Sequence, residues 1–261
     1  MRFVISMLAV LLASTAQAKT GLQVVCQLIA DEKGRALISE GSCDAAQSPA
    51  STFKVALSLM GFDSGKLQSA NAPKLPFKEG YRAYLPEWGQ ATDPQHWMKH
   101  SVVWYSQELA KMLGEEAIGS YLAKFQYGNL DMRGHSGADF WIGSSLKISP
   151  AQQSGFIRKL MLGDLPVSES AIEQTRVIMD LGQQANGWQL FGKTGAATPR
   201  DARGNRLPAK AFGWFIGWAE RGDRKVSFVK LIQSPKKERK SLGLLARDQV
   251  IETYFSKDSP L

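Results

Sequence analysis

Three segments bring together residue types whose spacing could do chemistry, and each implies a different chemistry. Ser51-Thr52-Phe53-Lys54 sets a hydroxyl and an amine at i and i+3. On a helix that spacing places both on one face. A serine attacks only when a base takes its proton, and a neutral lysine is one of the few side chains able to do so. Gly187-Trp-Gln-Leu-Phe-Gly192-Lys193-Thr194 matches the pattern of a phosphate-binding loop. His96 and His100, four apart, would put two imidazoles on one helix face, as a metal site needs.

The last two fail on physical grounds. A phosphate loop needs a preceding strand, a nest of backbone N–H groups and a helix opening after the lysine. Here the four middle residues are bulky and strand-like, and Gly195 and Pro199 oppose a helix. The histidine pair has no third partner. His135 lies far along the chain, no His-Glu-x-x-His occurs, and Lys99 would repel a cation. No metal site is expected.

Ser-x-x-Lys alone is a weak signal, since Ser144–Lys147, Ser227–Lys230 and Ser234–Lys237 match it too. Context separates them. Ser51 follows Pro49-Ala50 and opens an apolar helical run, where free N–H groups and the helix dipole stabilise a developing oxyanion. The others fall after the Trp141 loop, inside a strand and in a charged turn. Lys-Thr-Gly also occurs twice. Lys19-Thr20-Gly21 stands at a terminus, whereas Lys193-Thr194-Gly195 ends a predicted strand, where Gly195 lets a ligand approach the backbone.

The elements that must position these residues follow from periodicity. Leu22–Ala30 and Arg35–Glu40 read as strands joined by the Asp31-Glu32-Lys33-Gly34 turn. A helix is expected from Ser51 to Met60. Residues 63–94, rich in Pro, Gly and Ser, read as a long surface connection. From His96 to Gly182 the pattern is mostly helical, with apolar residues three and four apart, as in Ile118, Leu122 and Phe125. Trp188–Lys193, Ala211–Glu220 and Lys225–Gln233 read as strands, and Leu242–Phe255 as a last helix. The order implies an α/β (α+β) fold with a mainly antiparallel sheet and an inserted, mostly helical domain. Residues 19–50 and 183–261 form the sheet domain, and 51–182 the helical one.

Composition and the N-terminus bound the partners. The 261 residues carry 44 % apolar and 21 % charged side chains and seven Trp, which excludes a disordered chain. A formal net charge of +8 keeps nucleic acid in view until location is considered. Residues 1–18 read as a signal peptide: Arg2, an apolar run from Phe3 to Ala13, then Ala16-Gln17-Ala18 as the cleavage site. The run is too short to span ~30 Å of hydrocarbon. A periplasmic protein cut after Ala18 is expected, with no nucleic-acid partner and no stable membrane insertion. Monomer or homodimer stays open. Cys26 and Cys43 flank the expected hairpin and in an oxidising compartment either pair or remain two buried thiols.

Ser51-Thr52-Phe53-Lys54, Ser101-Val102-Val103, Tyr127-Gly128-Asn129, Trp141 and Lys193-Thr194-Gly195 occur in an order that resembles the class D, oxacillinase-type serine β-lactamases. The resemblance covers essentially the whole mature chain. It implies the fold shared by serine β-lactamases and penicillin-binding proteins, and hydrolysis of β-lactams through an acyl-serine. Val103 stands where class A enzymes carry Asn, and the Trp141–Pro150 stretch holds no Asp or Glu to activate water. The class D answer is a carbamate on Lys54 (N6-carboxylysine), formed from carbon dioxide or bicarbonate, with no other cofactor. That requires a neutral lysine in an apolar pocket, for which Phe53, Val103, Trp141 and Leu146 are suitable walls.

By the same resemblance Ser51 is the nucleophile, and the backbone N–H groups of Ser51 and Ala196 form the oxyanion hole. Ser101 passes a proton to the departing nitrogen, and the Trp141 indole holds the carbamate. Lys193, Thr194 and Arg247 bind the substrate carboxylate, while Tyr127 and Asn129 shape the site with Gly195. Two departures stand out. Gly143 replaces a common acidic residue two positions after the tryptophan, and the stretch around His135 is long. The alternative within this resemblance is a penicillin-sensing protein that is acylated but not turned over, with a peptidoglycan peptidase disfavoured by Val103.

Overall fold

The structure is a computed structural model that describes residues 21–133, 139–201, 203–259 and 261. The expected signal peptide, Lys19-Thr20 and His135 lie outside the described residues.

The chain opens with a hairpin of β1 (Gln23–Asp31) and β2 (Ala36–Gly41). Its turn is held by Asp31, whose Oδ1 accepts from the Lys33 and Arg35 amides at 3.0 and 2.9 Å. Near the C-terminus come β3 (Asp180–Gln183), β4 (Gln189–Ala197), β5 (Ala211–Arg221) and β6 (Arg224–Ser234). They form one antiparallel sheet in the order β2-β1-β6-β5-β4-β3, so the two ends of the chain close it by pairing β1 with β6. Both faces are covered. On β5, Trp214, Ile216 and Trp218 face the helical side, while Phe215 and Ala219 face α7 (Leu242–Tyr254). That period of two, buried on both sides, explains why β5 reads as an almost continuous apolar run.

The helical part is centred on α1 (Phe53–Asp63), buried from Phe53 to Phe62. A helix apolar all round belongs in the middle of its neighbours. Around it lie α2 (Pro94–His100), α3 (Val103–Leu113), α4 (Glu115–Phe125), α5 (Pro150–Leu162) and α6 (Glu169–Met179). Their starts are written in the sequence: Asp93 caps α2, Ser149 and Gln152 form a capping box on α5, and Ser168 caps α6. Among the described residues no helix is long and apolar enough to cross a membrane.

Four expectations change. The α-helix begins at Phe53, because Ser51 sits in a 3-10 turn, Ala50–Thr52. The helical reading of 96–182 fails over 126–133 and 139–149, which are irregular and held by tertiary hydrogen bonds. β3 was unexpected, and it returns the chain to the sheet at Asp180 rather than 183. The 63–94 connection is not purely a surface feature, since Leu67, Trp88 and Thr92 are buried. Cys26 and Cys43 are joined as a disulfide with Cα atoms 5.1 Å apart, which settles the question left open above.

Candidate active site

The turn that carries Ser51 is clamped from three sides. Ala50, at φ +49°, donates its amide to the Trp141 carbonyl at 3.0 Å. Ser48 Oγ donates to the same carbonyl at 2.7 Å and accepts from the Gly143 amide at 2.8 Å. Below the turn, buried Gln153 on α5 donates to Thr52 Oγ1 at 2.9 Å, and Thr52 donates to the Pro49 carbonyl at 2.7 Å. A left-handed conformation at a non-glycine residue stores strain of about 1–3 kcal/mol, which such bonds must hold.

Lys54 is 1 % exposed, and its Nζ donates to Ser51 Oγ at 3.4 Å. Burial, and then the charge of Lys193, push the Lys54 amine well below the usual lysine range. The surroundings are apolar: Phe53 stacks on Trp141 at 5.2 Å, and Phe140, Trp141 and Leu146 are buried. A neutral amine within reach of a serine hydroxyl is a base–nucleophile pair.

Across the cleft, Ser101 ends α2 in the left-handed region at φ +59°. Lys193 Nζ donates to Ser101 Oγ at 3.1 Å and to the Thr194 carbonyl at 3.0 Å. Burial, with Arg247, lowers the Lys193 amine to about 7. Lys193, Thr194 and Arg247 line one cavity of about 410 Å³, with Lys99 and Asp180 also in its wall, and Arg247 pairs with Asp248 at 3.0 Å. β3 pairs with β4 only as far as Phe191, so the 193–197 edge of β4 is open along the cleft.

The chain matches the penicillin binding protein transpeptidase domain model over residues 13–253. It is 37 % identical to β-lactamase OXA-9 of Klebsiella pneumoniae, over 87 % of this chain and 85 % of that protein. The crystal structure of the OXA-427 class D β-lactamase superposes with a TM-score of 0.81 at 40 % identity, covering 87 % of this chain and 95 % of that one. The chain belongs to the class D β-lactamase family. The C-terminal domain of the Bacillus licheniformis BlaR penicillin receptor is more distant, at 26 % identity and a TM-score of 0.75 over 89 % and 90 % of the two chains. Family and fold are thus as expected from the ordered motifs.

Within this class D site the residues divide by what they touch. Ser51, Lys54, Ser101 and Lys193 are brought together by the contacts above, and Val103 lines a second cavity with Ala196. Tyr127 is wholly buried, packed on Phe53 and Phe156, so it supports the core below the site and presents nothing to a substrate. Asn129 is exposed, but its side chain is spent on the backbone: Nδ2 donates to the Ser145 carbonyl at 3.0 Å and Oδ1 accepts from the Lys147 amide at 2.9 Å. It holds the loop that buries Leu146. Gly195 was expected to admit a ligand. Instead a Cβ there would lie 3.0 Å from the Pro49 carbonyl and the Thr52 amide, so its bareness lets β4 close on the Ser51 turn.

Ser48 and Gln153 went unseen in the sequence. Ser48 acts through two hydrogen bonds and Gln153 through one, all to residues about a hundred positions away, and neither sits in a motif.

Proposed function

We propose that this chain hydrolyses β-lactams in two steps through an acyl-Ser51 intermediate. The observation that carries the reading is the buried Lys54 amine beside Ser51 Oγ. Ser51 Oγ attacks the lactam carbonyl while Lys54, as its carbamate, would take the Ser51 proton, and the Ser51 and Ala196 amides receive the oxyanion. The ring carbon–nitrogen bond breaks, and Ser101 gives its proton to the departing nitrogen, with Lys193 beside it to restore the proton. Lys193, Thr194 and Arg247 orient the ring carboxylate. Its arrival favours the charged form of Lys193, which burial and the neighbouring Arg247 disfavour.

The pocket fits a carbamate on Lys54: the amine is buried among apolar walls and driven toward the neutral form that can add carbon dioxide, releasing one proton. Such a group would supply the anionic base for both steps, taking the Ser51 proton in acylation and a proton of the attacking water in deacylation. In this reading Trp141, packed on Phe53, is the indole donor to it. Export to the periplasm, with cleavage after Ala18, belongs to the same reading, and a disulfide such as Cys26–Cys43 is the expected companion of an oxidising compartment.

Intact mass after mixing with one equivalent of a penicillin tests the roles. Ser51→Ala should gain no mass, and Lys54→Ala should hold an acyl adduct that the unaltered protein loses. Bicarbonate should restore activity lost at acid pH. A Lys54→Ala protein that sheds its adduct at the unaltered rate would refute the assignment.

A further inference from the structure

We propose that the cavity beside Ala196 is a cationic subsite for an anionic group on the acyl side chain of the substrate, so that doubly negative β-lactams are preferred. The inference rests on the hydrolytic reading above. The cavity measures about 570 Å³ and is lined by Ala196, Ala197 and Thr198 from the open edge of β4, and by three guanidiniums, Arg82, Arg200 and Arg206. It lies at the opposite end of that edge from Lys193. A lactam carbonyl held between the Ser51 and Ala196 amides has the ring nitrogen and its carboxylate on one side. The carbon bearing the acyl side chain is on the other. With the ring carboxylate at Lys193 and Arg247, the side chain runs along Ala197 into this cavity.

The charge there is unbalanced. Arg200 and Arg206 face each other across an antiparallel bridge, and like charges directly opposite repel. The nearby carboxylate that could offset them is occupied: Asp201 Oδ1 accepts from the Arg203 and Asn205 amides at 2.9 and 2.8 Å, and Oδ2 from Asn205 Nδ2 at 3.1 Å. Asp139, the acidic residue in the lining, accepts from Gln107 at 2.8 Å. Among the described residues none of the three arginines makes an ion pair. Arg200 Nη1 donates to the Gly204 carbonyl at 2.6 Å and Arg82 Nη1 to Tyr84 Oη at 3.4 Å, leaving most of the five N–H groups of each free.

An adjoining cavity that shares Arg206 is lined by Lys236 and Lys237 with Glu238, and by Lys240, which pairs with Asp248, so its excess of positive charge is small. The same space also offers apolar surface, since Tyr84 is 70 % exposed and Ile142 38 %. An aryl ring on these faces with a carboxylate held in a guanidinium fork satisfies both features.

Benzylpenicillin and carbenicillin differ by one side-chain carboxylate and form the matched pair. The kcat/KM for carbenicillin divided by that for benzylpenicillin should be higher in the unaltered enzyme than in an Arg82→Gln, Arg200→Gln, Arg206→Gln triple variant. Each engaged guanidinium is expected to contribute roughly two- to fivefold. Added salt should slow carbenicillin more than benzylpenicillin, and the single variants read the same ratio should the triple variant fail to fold. Lys33→Gln, in the distant β1–β2 turn, should leave the ratio unchanged. Equal ratios in unaltered and triple-variant enzyme, or an equal fall with Lys33→Gln, would overturn the subsite. Loss of turnover for both penicillins in the unaltered enzyme would overturn the hydrolytic reading, and the subsite with it.

Discussion

Two buried amines set the character of the site at the residue scale, and each works against stability. Lys193 falls to about 7 when folded against 10.5 for the free side chain, so between those values the unfolded chain binds more protons. Stability from this group therefore rises as pH climbs through that window, and the full cost of burying the charge is felt below it. Lys193→Met should raise Tm most at or below neutral pH, with the gain shrinking toward pH 10, while activity is lost. A Tm change independent of pH would contradict the assignment. Ser48 makes two buried hydrogen bonds that tie the Trp141 loop to the Ser51 turn. Ser48→Ala should cost about 1–3 kcal/mol in denaturant melts and slow deacylation more than acylation. Ser51 and Lys54 were legible because their relation is local, three residues on one turn. Ser48 and Gln153 were not, because their partners come from distant parts of the chain.

What the elements contribute is an open strand edge set against a rigid turn. β4 presents residues 193–197 because β3 stops pairing at Phe191. Four residues interrupted by Gly182 gave no periodicity to read, so β3 was missed. β4, β5 and β6 were legible because a strand covered on both faces is a long apolar run. The loop segments 126–133 and 139–149 misled the reading for the converse reason: the apolar residues Phe140, Trp141, Leu146 and Ile148 are buried through tertiary contacts, so helix-like composition hides an irregular backbone. Gly128, at φ +60°, is essential to that loop, since a Cβ would lie 2.0 Å from the Lys147 carbonyl. Gly128→Ala should displace 145–147 and lower Tm, with activity falling as the Lys54 pocket opens. At the other edge of the sheet the Cys26–Cys43 disulfide closes a short loop, and such bridges contribute about 3 kcal/mol. A Cys26→Ala, Cys43→Ala protein should melt at lower temperature and keep its kcat, because neither residue touches the cleft. A matching fall in kcat at temperatures where it is folded would contradict that separation.

Across the whole molecule the two ends of the chain complete one sheet and the middle supplies the helical half, so the cleft draws on both. The order of the motifs identified the family before any geometry was known. It named Lys193 and Arg247 at one end of the β4 edge but left unread the three arginines, Arg82, Arg200 and Arg206, at the other. Class D β-lactamases and a penicillin receptor domain share this fold, so turnover is the quantity that decides between hydrolase and receptor. The direct measurement is the progress curve of a chromogenic cephalosporin in large molar excess over the purified protein, with bicarbonate present. Consumption of all the substrate, with the protein returning to its unmodified Ser51 mass, is the predicted result. A single stoichiometric burst that leaves a stable acyl adduct would contradict it.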